Sequence, residues 1–287
     1  MHTHTAPWTG MIATEDTALA CTDTGGDGTA VIYLNGQFAT QGYWRKTIAE
    51  LGPQWRHITF DERGRGRKSK TSSDYSVEAA IRDVDAVLAA RGVERAVVVG
   101  WSYGAVVAAM WAHRNPERAL GVVLVDGCFP YDWMDEAMEQ RIRKLFKRMR
   151  PVMALLRPTG LTPRLNAEEQ ARSNIELGWL SRADTLGPVL DAIAVPTRYV
   201  VASGTSLGSK GDEQERIRTS LAGVTARNAN IEVAAKVASN HGAILSKDFG
   251  AVAEATREVA ALGGGASQDR GPRRGRVTGA RACAAGR

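Results

Sequence analysis

Val97-Val98-Val99-Gly100-Trp101-Ser102-Tyr103-Gly104-Ala105 is the stretch of this 287-residue chain that decides its fold. Its apolar, β-branched beginning predicts a buried strand of a parallel sheet. The small residues from Ala105 to Ala112 predict a helix directly after it. The sequence G-x-S-x-G therefore stands at a sharp turn between a strand and a helix.

A serine in such a turn has a strained backbone, and its neighbours two residues away come too close for side chains. Gly100 and Gly104 remove that conflict. The Ser102 hydroxyl would then lie above the strand end, at a helix N-terminus that stabilises negative charge on a substrate oxygen. The stretch predicts a nucleophile elbow. An incidental serine in a glycine-rich turn is the alternative.

Four further segments accompany the elbow in a fixed order. They are Val31-Ile32-Tyr33-Leu34-Asn35-Gly36-Gln37, Phe60-Asp61-Glu62-Arg63-Gly64-Arg65-Gly66, Gly121-Val122-Val123-Leu124-Val125-Asp126 and Ser239-Asn240-His241-Gly242. Together they resemble the α/β-hydrolase superfamily over roughly residues 28 to 262. The resemblance implies an α/β fold, a mostly parallel sheet flanked by helices. It also implies a helical cap inserted after the strand that follows the elbow helix.

Strands and amphipathic helices alternate along the chain, which predicts parallel pairing through helical crossovers. In such sheets the chemistry lies beyond the carboxyl ends of the strands. Gln37, Ser102 and Asp126 each follow a predicted strand, and His241 lies in the loop after the last strand. We therefore expect these four residues, far apart in sequence, to converge.

A serine hydroxyl becomes a useful nucleophile when a histidine accepts its proton and a carboxylate orients that histidine. The order Ser102, Asp126, His241 is that of the hydrolases. The resemblance assigns the oxyanion hole to the backbone N–H groups of Gln37 and Tyr103. It places the acid most often after the strand Thr197 to Ala202, where no carboxylate follows before Asp212. We favour Asp126 and keep Asp212 as the alternative.

The resemblance implies hydrolysis of an ester, thioester or lactone of a moderately apolar small molecule through an acyl-enzyme. It implies neither a metal nor an organic cofactor. Related epoxide hydrolases and haloalkane dehalogenases carry Asp where this chain has Ser102, which disfavours those activities. A cofactor-free haloperoxidase is an alternative. So is a non-catalytic binding protein, because Asn35 replaces the usual histidine.

Residues 128 to about 192 break the alternation and predict helices only, the expected cap. Phe129, Trp133 and Trp179 are candidate substrate-binding residues there, with ordinary packing as the alternative. The basic helix predicted over Asp135 to Arg150 has an apolar face formed by Met138, Ile142, Leu145 and Met149. We expect the core to bury that face, and so expect no membrane partner.

We predict a hydrolase domain over residues 1–262 and a disordered basic tail over 263–287. The tail has six arginines and one aspartate, so it carries five of the six net positive charges. We favour a solvated tail without a partner and so expect no nucleic-acid partner; binding of the tail to nucleic acid or an acidic surface is the alternative. The three scattered cysteines fit a reducing compartment, and we recognise no signal peptide, so a cytoplasmic location is expected. The sequence does not indicate an oligomeric state.

Overall fold

The computed structural model describes residues 6–66, 68–156, 163–204 and 219–268. Eight strands form one sheet in the order β1-β2-β4-β3-β5-β6-β7-β8. The strands are β1 (Trp8–Thr14), β2 (Thr17–Asp23), β3 (Ala30–Leu34), β4 (Arg56–Asp61), β5 (Ala96–Trp101), β6 (Ala119–Val125), β7 (Thr197–Ala202) and β8 (Ile231–Val237). β1 and β2 pair antiparallel, as do β2 and β4, and every later pair is parallel. The predicted mostly parallel sheet is confirmed.

Helices cover both faces of the sheet. In the described ranges they are α1 (Arg45–Leu51), α2 (Val77–Ala90), α3 (Tyr103–Arg114), α4 (Glu136–Leu156), α5 (Ala167–Leu180), α6 (Ala183–Asp191), α7 (Leu221–Arg227), α8 (Ile244–Lys247) and α9 (Phe249–Gln268). Successive side chains of a strand point to opposite faces. On β5, Val98 packs in the layer with α2 and α3, whereas Val97 and Val99 pack in the layer with α1 and α9. The continuous apolar run of the elbow strand is thus explained by burial on both sides.

Three helices, α4, α5 and α6, lie in sequence between β6 and β7, where the insertion was predicted. α4 differs from the prediction, because it continues through Pro151 to Leu156 as one helix. Its buried side chains are Phe146 and Met153, which pack near Ala171 of α5. The expected buried face was wrong in part, since Leu145 and Met149 are exposed. α4 has two adjacent apolar rows, and its spacing does not decide which of them meets α5.

The end of the folded domain also differs from its prediction. The domain was expected to end at residue 262, but α9 continues to Gln268. A Cβ atom on Gly263 would lie 1.7 Å from the carbonyl oxygen of Leu120, so this residue packs directly on β6. The start of the predicted tail therefore belongs to the folded domain, and residues 269–287 lie outside the described ranges. Within those ranges, no helix combines the length and apolarity needed to cross a membrane.

Candidate active site

Ser102 lies at the turn between β5 and α3 with φ 57° and ψ −115°, a backbone conformation that few side-chain-bearing residues adopt. The glycines around it make that turn sterically feasible. A Cβ atom on Gly100 would lie 2.1 Å from the oxygen of Gly104, and one on Gly104 would lie 2.2 Å from the oxygen of Leu34. Both contacts involve backbone, which cannot move aside. The strained elbow predicted from the sequence is present.

The structure brings Ser102, His241 and Asp126 together at the carboxyl edge of the sheet. His241 Nε2 lies 3.0 Å from Ser102 Oγ, and His241 Nδ1 lies 2.8 Å from Asp126 Oδ2. The other carboxylate oxygen, Oδ1, accepts a hydrogen bond of 3.0 Å from the backbone N–H of Ala202. Asp126 is buried at 5% side-chain exposure, while His241 is 38% exposed. The carboxylate is therefore fixed by the end of β7, and the imidazole faces solvent.

The oxyanion donors predicted from the sequence are the backbone N–H groups of Gln37 and Tyr103, which directly follow residues at this cluster. Tyr103 follows Ser102, and Gly36, before Gln37, would place an added Cβ atom 3.4 Å from the Ser102 Cβ atom. Tyr103 is the first residue of α3, so its N–H has no partner inside the helix. Within the described residues neither N–H donates a hydrogen bond. The Gln37 loop is held through its side chain, whose Nε2 donates to Ser173 Oγ of α5 over 3.2 Å. Within the described residues both predicted donors thus have no partner, and α5 contacts the side chain of Gln37.

A family model for the alpha/beta hydrolase fold matches residues 29–171. The chain belongs to the α/β-hydrolase superfamily. Its sequence is 29% identical over 147 residues to a haloalkane dehalogenase of Mesorhizobium japonicum, covering 51% of this chain and 48% of that protein. It is 38% identical over 99 residues to epoxide hydrolase B of Mycobacterium tuberculosis, covering 33% of this chain and 28% of that protein. The chain thus aligns with less than half the length of either relative.

Solved structures show the same architecture. A thermophilic esterase from Thermogutta terrifontis superposes with a TM-score of 0.68 over 88% of this chain and 99% of that one. Its sequence is 19% identical, so the likeness concerns the fold alone.

Aromatic rings flank the imidazole of this α/β hydrolase, which the sequence analysis did not anticipate. The Trp101 ring lies 5.4 Å from the His241 ring, and the Tyr43 ring stacks on Trp101 at 5.6 Å. Trp101 is 7% exposed, so it forms an apolar wall beside the histidine. Because Trp101 directly precedes Ser102, its place beside the site could have been predicted from the sequence. Tyr43 is distant in sequence, so its place there could not.

Asn35 occupies the place where the family usually has histidine, and here it is a structural residue. Its side-chain amide donates to Phe60 O over 2.7 Å and to Glu62 Oε2 over 3.0 Å. Its side-chain oxygen accepts from Trp44 Nε1 over 2.8 Å. Asn35 is fully buried, so all these groups are removed from water. Asn35 thus joins the end of β3 to the end of β4 and to Trp44 through a buried polar network.

Burial shifts several ionisable groups around the site. Burial raises the pKa of Glu62, against the opposing charge of Arg65 and the hydrogen bonds from Asn35. Burial raises the pKa of the Cys128 thiol to about 12, so this cysteine is a poor nucleophile at neutral pH. Burial also raises the pKa of the Tyr103 hydroxyl. Among these groups, none competes with Ser102 for the role of a nucleophile.

The three candidate substrate-binding residues lie in different settings. Phe129 is half-buried and stacks on Tyr199 at 6.0 Å. Trp133 packs against Gly178 of α5. Trp179 is 37% exposed, and its indole N–H donates to Glu139 of α4.

No hydrogen bond or ring contact among the described residues joins Phe129, Trp133 or Trp179 to Ser102 or His241. Asp212, the alternative acid, lies outside the described ranges.

Proposed function

We propose that this α/β hydrolase is a serine hydrolase that cleaves an ester, thioester or lactone of a moderately apolar small molecule. One observation carries the proposal: Ser102 Oγ, the His241 imidazole and the Asp126 carboxylate form a continuous hydrogen-bonded chain with spacings of 3.0 and 2.8 Å. These distances suit proton transfer from a hydroxyl to an imidazole held by an acid. No step of this chemistry requires a cofactor.

In the proposed mechanism, Ser102 Oγ attacks the substrate carbonyl carbon while its proton passes to His241 Nε2. The negative charge that forms on the carbonyl oxygen is stabilised by the N–H groups of Gln37 and Tyr103, each worth about 3 kcal/mol in barrier height. His241 then donates its proton to the leaving alcohol or thiol, and the acyl group stays on Ser102. Water, deprotonated by His241, attacks the acyl carbon. The Ser102 Oγ–acyl bond then breaks, the carboxylic acid leaves, and His241 returns its proton to Ser102 Oγ. Asp126 stabilises the imidazolium throughout.

The identity of the nucleophile favours acyl transfer over the reactions named for the two relatives. A serine oxygen that attacked the saturated carbon of a halide or an epoxide would form an ether. Water does not cleave an ether under these conditions, so the enzyme would stop after one turnover. An acyl ester on Ser102, by contrast, is readily hydrolysed. The chemistry of the group at residue 102 thus supports an ester-type substrate.

The experiment combines an active-site probe with a substrate panel. A fluorophosphonate is expected to label the wild-type chain on Ser102, and labelling is expected to fall strongly in the His241→Gln variant. The panel consists of p-nitrophenyl esters of increasing acyl length, lactones and acyl thioesters. Absence of both labelling and turnover would favour a non-catalytic binding protein. Halogenation of a test substrate with peroxide and halide, without ester turnover, would favour the haloperoxidase alternative.

A further inference from the structure

The inserted helix α4 exposes an apolar row that nothing else in the described residues covers. Phe146 and Met153 point toward α5 and are buried. On the neighbouring side of the helix, four apolar side chains are exposed. They are Leu145 at 52%, Met149 at 39%, Val152 at 53% and Leu155 at 77% exposure. Spacings of three and four residues align Leu145, Met149 and Val152 along one line of the helix.

A row of cations runs beside this apolar row. Arg141, Lys144 and Arg148 are separated by three and four residues, so they lie along the helix next to Leu145 and Val152. All three are exposed, and within the described residues none of them has an ion-pair partner. α4 as a whole has six lysines and arginines against two glutamates. An apolar strip thus adjoins a strip of uncompensated positive charge.

We propose that α4 docks on the surface of an anionic lipid bilayer. A helix with exposed Leu and Val along one line and Lys and Arg beside them lies in the interface plane, with its apolar side chains among the acyl chains. The cations then meet lipid phosphates, and each contributes about 1 kcal/mol near a negatively charged surface. This docking departs from the expectation of no membrane partner, which assumed that the core buries Leu145 and Met149. It is independent of the proposed hydrolase activity.

Charge complementarity selects the bilayer over a second copy of the chain. An antiparallel second copy packed on the same apolar row would place the two strips of Arg141, Lys144 and Arg148 side by side. Like charges at that distance repel each other. An anionic bilayer instead contacts both strips of α4: its phosphates bind the cations, and its acyl chains surround the apolar side chains.

The test is flotation of the full chain with phosphatidylcholine vesicles, prepared with and without phosphatidylglycerol. We expect binding to the anionic vesicles, weakened by salt, and little binding to the neutral ones. The double variant Leu145→Gln, Val152→Gln should reduce the partition coefficient by at least about tenfold, because it removes two apolar side chains from the bilayer. Leu262→Gln is the matched control, since Leu262 is 47% exposed on α9. It should bind like the wild type.

A second variant, Arg141→Gln with Arg148→Gln, tests the cations and retains the apolar row. It should lose about fivefold in affinity for anionic vesicles per charge removed. Circular dichroism checks that each variant is folded. If the apolar variant does not fold, the cation variant tests the proposal. A further variant replaces the six arginines of residues 270–287 by glutamine, and it should bind like the wild type.

Three results would overturn the proposal. One is no binding to anionic vesicles at low salt, and another is equal binding to neutral and anionic vesicles. The third is binding that survives both α4 variants but is lost when the arginines after residue 269 are replaced. Size-exclusion chromatography adds a check, because a dimer abolished by Leu145→Gln would assign the apolar row to a second copy.

Discussion

The carboxyl edge of the sheet and the inserted helices are built under different constraints. At the sheet edge, backbone contacts fix the side chains: Ser102 has a strained φ, Gly104 touches the Leu34 backbone, and the Ala202 N–H holds Asp126. The inserted helix α4 is anchored by a few buried side chains and leaves Leu145 in solvent. The candidate site therefore depends on backbone geometry that tolerates little change. The position of the inserted helix α4 depends instead on side-chain packing and on what surrounds it.

The first prediction concerns the largest effect at the sheet edge, the Asp126→Asn substitution. The Asn oxygen can still accept from the Ala202 N–H, so the fold should be retained. The Asn amide then donates to His241 Nδ1, which forces the ring proton onto Nε2 and removes the acceptor for the Ser102 hydroxyl. We expect kcat on the best ester to fall about 10⁴-fold with little change in KM.

Asp212→Asn is the comparison variant for this measurement, because Asp212 is the other candidate acid. It should keep near wild-type kcat. Loss of turnover in the Asp212 variant, with Asp126→Asn still active, would reassign the acid and contradict the account of the sheet edge.

The second prediction compares one substitution in the two regions, Gly104→Ala and Gly187→Ala. A Cβ atom on Gly104 meets the Leu34 backbone at 2.2 Å, so the variant should lose about 1–3 kcal/mol of unfolding free energy and most of its activity. Gly187, within α6, has no atom within 4 Å of an added Cβ apart from its chain neighbours, of which Pro188 is one. There alanine should change the unfolding free energy by less than about 1 kcal/mol, because its helix propensity is offset by its contact with the ring of Pro188. Urea unfolding of both variants measures the difference, and equal losses would remove the contrast.

The third and smallest prediction concerns His57, a histidine that the site does not use. Its Nδ1 lies 2.9 Å from the Tyr33 hydroxyl, and its Nε2 lies 3.0 Å from the oxygen of Gly52. Burial lowers its pKa below the ordinary 6.5, partly offset by the hydrogen bond to Gly52. As the pH falls through the ordinary histidine pKa of 6.5, His57 binds a proton in the unfolded chain but not in the folded chain. The unfolding free energy should therefore decrease.

Urea unfolding of the wild type and of His57→Gln at several pH values across the histidine range measures this effect. The variant should show a smaller loss of unfolding free energy on acidification and an unchanged pH dependence of kcat. An identical pH slope in both proteins would show that His57 contributes nothing to it.

The sheet and the position of the candidate nucleophile were predictable because each has a local sequence signal. The strand Thr197–Ala202 was predicted with its observed bounds, and Gly100 and Gly104 identified the turn around Ser102. The meeting of Asp126 with His241 followed from the rule that parallel strands end at one edge. These inferences need only the order of strands and the steric demands of a tight turn.

Other features have no local signal, because they depend on how elements rotate and pack. The sequence analysis placed Leu145 and Met149 in the core, whereas Phe146 and Met153 occupy it. A helix with two adjacent apolar rows presents either row to its partner, and the partner decides. The ring of Tyr43 reaches the site only because a short 3₁₀ turn at Gln41–Trp44 brings it onto Trp101.

Direct detection of the acyl-enzyme tests the central claim that Ser102 is the nucleophile. Wild-type protein is quenched in acid during turnover of a slowly hydrolysed p-nitrophenyl ester, and its mass is measured intact and after digestion. We expect one added acyl group, located on the peptide containing Ser102 and absent from Ser102→Ala and His241→Gln. An acyl group on another residue would contradict the account, as would undiminished turnover in Ser102→Ala.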